Sequence, residues 1–529
     1  MSTIHNPILT GFNPDPCMLR MGDDYYIAIS TFEWFPGIAL YHSRDLANWH
    51  LLGHALTRRS QLDLRGIQSS EGVWAPDLSY CEADKQLYLT YTVMRNWGYD
   101  GPRDMHNYLV TSTSIEGPWS DPIHLDSGGI DPSFFFHPDG RVFYLRNRWD
   151  YRAGKDHFAG IGMQEYDRAR KVLIGQNRLI FSGSGLGKVE GPHLYYRNGY
   201  YYLLTAEGGT FYDHAVTLAR SRDLWGPYEV HPSQTVLTSR FAPKNPLQKA
   251  GHGSLVQDPY GIWYLAHLCA RPLPSRGRCI LGREAAIQKV VWKEDDWLYL
   301  AQGGTEPALV VQADGYAEQP WEKENPRDDF DQMKLRPVYQ TLRCKLDERF
   351  CNLSERKGFL RLRGKESVTS RFEQTLVARR QTSFCYTATA ALECRPADYN
   401  QMAGLIAFYD QRHFFYLAVT NQDGPVVNLY CCNRGAWIEP IQAVLIGDAT
   451  RIYLRMEMRY DHLRCSYSLD ERRWHPLGPW FDSSILSDEY LEPMHFTGAF
   501  VGLCAQSLDG SDFVADFDYF TYEELDDIF

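Results

Sequence analysis

No Cys-x-x-Cys pair occurs in this sequence, although it contains twelve cysteines; they are scattered, and only Cys431 and Cys432 adjoin. That scatter argues against a zinc site or a disulfide framework, so the thiols read as reduced. A dense run of Lys or Arg is missing too: 54 basic residues face 66 acidic ones, a net charge of −12. Such a balance argues against nucleic acid as a partner and against an anionic membrane surface. No stretch approaches the ~18 consecutive apolar residues of a membrane span. The opening residues, Met1 to Ile8, lack a basic n-region and an apolar h-region, so no signal peptide is expected and the cytoplasm is the expected compartment.

What is present is an ordinary soluble composition, 44% hydrophobic and 23% charged, over 529 residues. That length is too great for one hydrophobic core and implies two domains or more. Aromatic residues reach 14%. Rings stack well on sugars but also fill β-sheet cores, so their number alone decides nothing.

A short aromatic strand preceded by a turn recurs five times, about every 60 residues: at Tyr25-Tyr26-Ile27, Leu87-Tyr88-Leu89, Val142-Phe143-Tyr144, Tyr200-Tyr201-Tyr202 and Ile262-Trp263-Tyr264. The surrounding runs are short, rich in Tyr, Val, Ile and Leu, and separated by Gly, Pro, Asp and Asn, which is strand-and-turn chemistry. About 60 residues make a four-stranded sheet, and five such sheets set radially make a β-propeller over residues 1–302. A large sandwich is the alternative, but it leaves the five related units unexplained. Residues 303–327 lose the repeat and read as a connector. Residues 328–529 alternate in a different way, as in Arg451-Ile452-Tyr453-Leu454-Arg455-Met456, and suggest a two-sheet β-sandwich. The expected fold is therefore all-β.

Eleven or twelve residues before the middle residue of each aromatic strand stands an ionisable residue: Asp15, Asp77, Asp131, Glu190 and His252 in successive units. Equivalent positions in a propeller converge on its axis, so these groups would line one funnel. Crowded, desolvated carboxylates repel and have raised pKa values, an arrangement that costs stability and that a purely structural protein has little reason to keep. Individually, an Asp beside Pro also caps turns. Glycosidic cleavage needs one carboxylic acid to protonate the leaving oxygen and a second carboxylate opposite it, and a third near the acid would hold its pKa up. The residues alone do not say which of them is acid and which is base.

With these residues in view, the chain resembles the β-xylosidases of glycoside hydrolase family 43, from Asn6 to its C-terminus. The blocks that carry the resemblance are Gly11-Phe12-Asn13-Pro14-Asp15-Pro16, Trp74-Ala75-Pro76-Asp77, Val189-Glu190-Gly191-Pro192-His193, Leu281-Gly282-Arg283-Glu284 and Ala515-Asp516-Phe517-Asp518-Tyr519-Phe520. The resemblance implies a five-bladed propeller, an appended concanavalin-like β-sandwich and an inverting mechanism. In it Asp15 is the general base, Glu190 the general acid and Asp131 the carboxylate that modulates the acid. Asp77 falls outside that trio and reads as structural, bracing the turn beside Trp74.

By the same resemblance Arg283 binds sugar hydroxyls, and Phe32, Trp74 and Trp149 wall the pocket, with core packing as the competing role for Trp149. His252 falls where some members hold a calcium ion or a water cluster; otherwise no cofactor is implied. A sandwich loop of the family inserts a phenylalanine over the funnel. Phe513, after Gly510-Ser511-Asp512, is the candidate, against the competing reading of a sandwich-core residue. A funnel closed from one side admits a chain end. The expected substrates are therefore xylobiose and short xylo-oligosaccharides, losing xylose from the non-reducing end, with α-L-arabinofuranosides as a side activity. The rivals are a dedicated arabinofuranosidase and a non-catalytic carbohydrate-binding propeller. Relatives often assemble, so a homodimer or homotetramer is expected.

Overall fold

A computed structural model of the chain describes residues 2–98, 101–274, 276–490 and 495–525. Five four-stranded antiparallel sheets follow one another in strict chain order. Blade 1 runs from Cys17–Met21 to His50–Leu56, blade 2 from Gly72–Cys81 to Ile123–Asp126, and blade 3 from Ser133–Phe136 to Val172–Phe181. Blade 4 spans Glu190–Arg197 to Glu229–Thr238, and blade 5 spans Gln248–Gln257 to Leu298–Leu300. Within each sheet the first strand is innermost. In blade 5 that strand, Gln248–Gln257, is buried at every position but the last, whereas the outermost strand of blade 3, Val172–Phe181, is exposed or half-buried at all but its last two positions.

A single blade cannot cover both of its faces, and the core reflects this. Separate apolar clusters fill the spaces between successive blades: Leu78 and Leu40 between blades 1 and 2, Phe134 and Tyr88 between 2 and 3, and Phe143 and Leu203 between 3 and 4. Leu204 and Leu265 meet between blades 4 and 5, and Ile27 and Tyr264 between 5 and 1, which closes the ring. The closure has a second element. Ser2–His5 pairs antiparallel with Val310–Ala313, so the segment 303–327, expected as a plain connector, contains a strand that fastens the N-terminus beside blade 5. Four residues among Gly and Pro are too few to register as a strand in the sequence.

The rest of the chain forms the sandwich, an eight-stranded and a seven-stranded sheet, with one large core between them that includes Leu405, Leu454 and Phe517. Among the described residues the one helical turn is Asp488–Tyr490, and no helix is long and apolar enough to cross a membrane.

The two domains interlock. Thr341–Leu342 of the second pairs with Trp34–Phe35 of the first. Trp34 is fully buried and stacks on Phe500 with ring centroids 3.6 Å apart. Arg343, wholly buried, donates from Nε to the Ile67 carbonyl at 2.7 Å, and Arg380 donates from Nε to the Phe12 carbonyl at 2.7 Å. One apolar cluster runs across the junction from Phe12, Phe32 and Trp74 to Phe408, Tyr416 and Phe500. At about 1.5–3 kcal/mol for each large apolar side chain buried, this shared cluster ties the two domains to one another.

Candidate active site

The innermost strands do not run straight at the axis. Asp15, Asp131 and His252 have φ of 57°, 59° and 47°, and Ala75 and Gly191 have 40° and 58°. Non-glycine residues seldom adopt such angles, and where they cluster they mark a site whose geometry the surrounding fold enforces. Pairing slips at the same places, between Trp74 and Asp77, Glu190 and His193, and Gln248 and Gly253. The bulges at Glu190 and His252 free those side chains from the ladder and leave them on the cavity wall, whereas the one before Asp77 does not.

Asp15, Asp131 and Glu190 come together on the wall of one cavity of about 310 Å³. Asp15 accepts from Ser30 Oγ at 2.7 Å and from Arg283 Nη1 at 3.2 Å. Burial pushes its pKa up, but Arg283, His252 and the Ser30 hydroxyl outweigh burial and hold it below the ordinary value. Of these, the guanidinium and the hydroxyl matter most. His252 Nδ1 lies 3.6 Å from Asp15, yet burial pushes His252 down to about 4, so at neutral pH it carries no charge.

Asp131 accepts the Gly191 N–H at 2.9 Å, one residue beyond Glu190. Burial, followed by the charge of Asp15, raises Asp131 to about 7. Glu190 is raised well above 4.5 by burial, then by Asp131 and Asp15, with Lys188 and Arg283 opposing. The cavity thus holds one carboxylate kept ionised and one carboxyl kept protonated, which is the division of labour acid–base cleavage requires.

Arg283 is 4% exposed and also donates to Thr210 Oγ1 at 3.3 Å and to the Phe496 carbonyl at 3.2 Å. Its guanidinium carbon stands 5.2 Å from the Phe32 ring centroid. Phe32, Trp74, Trp149 and His252 all line the cavity, and Trp74 is fixed by an Nε1 bond to the Ser70 carbonyl at 3.1 Å.

Phe513 does not reach the site. It is 4% exposed inside the sandwich core, and it shares strand parity with Ala515 and Phe517, which face that core. The ring over the funnel is Phe496, 6.1 Å from Trp74 and 5.7 Å from Trp97. Its segment belongs to the sandwich but is clamped by the propeller: Phe496 N and Thr497 N both donate to Ser70 Oγ, at 2.9 and 3.2 Å. Gly498 allows the close approach, since a Cβ there would meet Phe12 Cβ at 2.4 Å. Phe496→Ala therefore lowers kcat/KM by roughly 10- to 100-fold, the equivalent of one large ring's burial. Phe513→Ala instead costs about 3–5 kcal/mol of stability with little kinetic effect in the folded fraction, checked by melting curves alongside steady-state rates.

Asp77 lies off the cavity and links blades: it accepts the Phe134 N–H of blade 3 at 3.1 Å and stands 3.3 Å from His193 Nδ1 of blade 4. With Cys17 it forms a thiol–carboxylate–imidazole group whose ligand atoms lie within 4.8 Å of one another, a set that could hold a soft divalent ion. Cys17 is a protonated thiol, raised well above 9 by burial and then by Asp77, and Sγ lies 3.5 Å from Asp77 Oδ1.

Trp97, Arg103, His157, Lys188, Thr210 and Phe211 also line the cavity. They sit on loops between strands, outside the repeated aromatic pattern, so periodicity carries no signal for them. The local signal for Phe496 is slight, an irregular Phe-Thr-Gly segment just before the strand Phe500–Ser507.

Comparison with known proteins places these features in context. Residues 4–298 match the model of the glycosyl hydrolases family 43, and residues 327–523 match the β-xylosidase C-terminal concanavalin A-like domain. The chain is 46% identical to a xylosidase/arabinosidase of Humicola insolens over 99% of this chain and 98% of that protein. It is 44% identical to a xylan 1,3-β-xylosidase of a Vibrio species over 99% of both. The crystal structure of a xylan β-1,4-xylosidase from Bacillus halodurans superposes with a TM-score of 0.97 at 48% identity, over 98% of this chain and all of that one.

Proposed function

This chain belongs to the glycosyl hydrolases of family 43, and from that premise we propose that it is an exo-acting, inverting β-xylosidase. The observation that carries the proposal is the division of proton affinities inside a cavity closed by Phe496: Asp15 held low, Glu190 held high. With the terminal xylose in the cavity, Glu190 gives its proton to the glycosidic oxygen as the bond to the anomeric carbon breaks. Asp15 takes a proton from water as that water attacks the anomeric carbon from the opposite face. One displacement turns a β-linkage into α-xylose, and both carboxyl groups return to their starting states after proton exchange with solvent. Asp131 supports the acid by its charge and by holding the Gly191 N–H beside it. Arg283 is placed to bind sugar hydroxyls while holding Asp15.

A cavity of about 310 Å³ is at the small end for ligand sites, which favours a chain end over a long through-cleft. Short β-1,4-xylo-oligosaccharides are the proposed substrates. The Humicola relative, named for both activities, supports a second activity on α-L-arabinofuranosides. Neither step calls for a metal or an organic cofactor, since the chain supplies both carboxyl functions. A calcium ion at His252 would find only a neutral ring nitrogen, a poor ligand for a hard cation, and the Asp15 carboxylate already bonded to Ser30 and Arg283, so the residues there do not fit calcium. We propose a cytoplasmic setting, supported by twelve free cysteines, and assembly into a dimer or tetramer.

Proton NMR of β-1,4-xylobiose hydrolysis tests the mechanism and the linkage together. α-Xylose is expected as the first product, before mutarotation. β-Xylose first would refute inversion, and turnover of β-1,3-xylobiose alone would move the linkage to that of the Vibrio relative.

A further inference from the structure

Cys17, Asp77 and His193 stand on the innermost strands of blades 1, 2 and 4, one step past the residues that line the cavity. Cys17 follows the base Asp15 by two places, and His193 follows the acid Glu190 by three. The three are far apart in the chain, so the scatter of cysteines gives no hint of them as a group. The convergence of the blades is what brings them together.

The two oxygens of Asp77 have different surroundings. Oδ2 accepts the Phe134 N–H at 3.1 Å and the Ser79 hydroxyl at 3.3 Å, which fixes the carboxylate. Oδ1 faces the other two side chains, 3.5 Å from Cys17 Sγ and 3.3 Å from His193 Nδ1. Zinc bonds of about 2.3 Å to sulfur and about 2.0 Å to nitrogen and oxygen, set at tetrahedral angles, place sulfur about 3.5 Å and nitrogen about 3.3 Å from the oxygen. Two edges of such a tetrahedron are therefore in place. The third, from sulfur to nitrogen, lies within 4.8 Å, and a small turn of the imidazole closes it. No described residue makes a hydrogen bond to the His193 ring, so the turn breaks none. The Leu78 N–H donates to Cys17 Sγ at 3.2 Å, a bond that favours a thiolate over a thiol.

We infer that Cys17, Asp77 and His193 form a binding site for one divalent cation of the zinc class, with water in the fourth position. Sulfur and imidazole select against calcium and magnesium, which take oxygen ligands. The thiol is protonated before the metal arrives. Binding therefore breaks the Sγ–H bond, forms the Sγ–metal bond and sends the proton to solvent. The ion staples three blades at the strands that carry the base and the acid, and no step of hydrolysis passes through it. The inference stands apart from the choice of sugar substrate.

Cobalt(II) is the probe, because four-coordinate cobalt absorbs in the visible and a cobalt thiolate adds a charge-transfer band in the near ultraviolet. The enzyme, freed of metal by a chelator, is titrated with Co²⁺. In parallel it is purified from cells grown with cobalt, so that the ion is present as the chain folds. One equivalent is expected to bind with the charge-transfer band and to be displaced by Zn²⁺. Because one proton leaves, affinity rises about tenfold per pH unit. Cys17→Ser is expected to lose the band and at least about tenfold in affinity, and His193→Gln to lose affinity by a similar factor. Zn²⁺ raises the melting temperature of the parent and leaves that of Cys17→Ser unchanged. Absence of the band from both preparations, or an undiminished band in Cys17→Ser, overturns the inference. A zinc-dependent melting shift of equal size in parent and variant does the same.

Discussion

Glu190→Gln lowers kcat on xylobiose by roughly 10²–10⁴-fold, yet costs far less on a dinitrophenyl xyloside. The difference lies in the leaving group. An alkoxide of xylose cannot depart without a proton, whereas dinitrophenolate departs unaided. Equal losses on both substrates, measured by steady-state kinetics, would remove Glu190 from the acid's role. The same proton sets the upper limb of the pH profile, because the enzyme is active only while Glu190 keeps it. Asp131 raises Glu190 by like charge, so Asp131→Asn must move that limb to lower pH. Stability responds in a distinct way. Glu190 is raised in the folded state, so folding stability falls as pH climbs from the ordinary 4.5 toward its native value. Glutamine has no charge to penalise, and the variant is expected to melt no lower than the parent above that range.

Asp15→Asn behaves differently on both counts. It abolishes activation of water, so the loss of roughly 10²–10⁴-fold appears on xylobiose and on the dinitrophenyl xyloside alike. A loss on xylobiose alone would contradict the base assignment. Here stability also falls, because the substitution leaves Arg283 buried opposite a neutral amide. Removing one partner of a buried pair costs about 3–5 kcal/mol. The native pKa of Asp15 is depressed, so its contribution to stability is present above the ordinary 3.8 and lost as pH falls through the lower native value. The stability gap between Asp15→Asn and the parent should therefore narrow in acid, a trend that melting curves across pH report directly.

The parts of this molecule that repeat are the parts that could be read from its residues. The turn-plus-aromatic unit recurs because every blade solves the same packing problem, and the repeat position of Asp15, Asp131, Glu190 and His252 follows from that regularity. Asp77 shares the repeat position but lies off the cavity, because the bulge between Trp74 and Asp77 leaves it among neighbouring blades. Glycine and serine before Phe513 suggest a loop residue, although the alternation Phe513, Ala515, Phe517 marks a core face. Phe496 is placed by the junction between domains, through Ser70 and Arg283, and such a contact leaves no periodic trace. The cavity residues Arg103 and Lys188 belong to the same class: each stands on a loop and packs against a remote residue, Trp149 or Gly209.

The clamped segment at Phe496 bears on how such a chain can change over generations. Its carbonyl is held by Arg283 and its amide by Ser70, both in the propeller, and Arg380 of the sandwich reaches back to Phe12. A crossover that joined this propeller to a foreign sandwich would bring in a ring without its clamp, or a clamp without its ring. The two domains therefore work only as a matched pair, and a chimaera with a foreign sandwich is expected to lose activity even where each half folds.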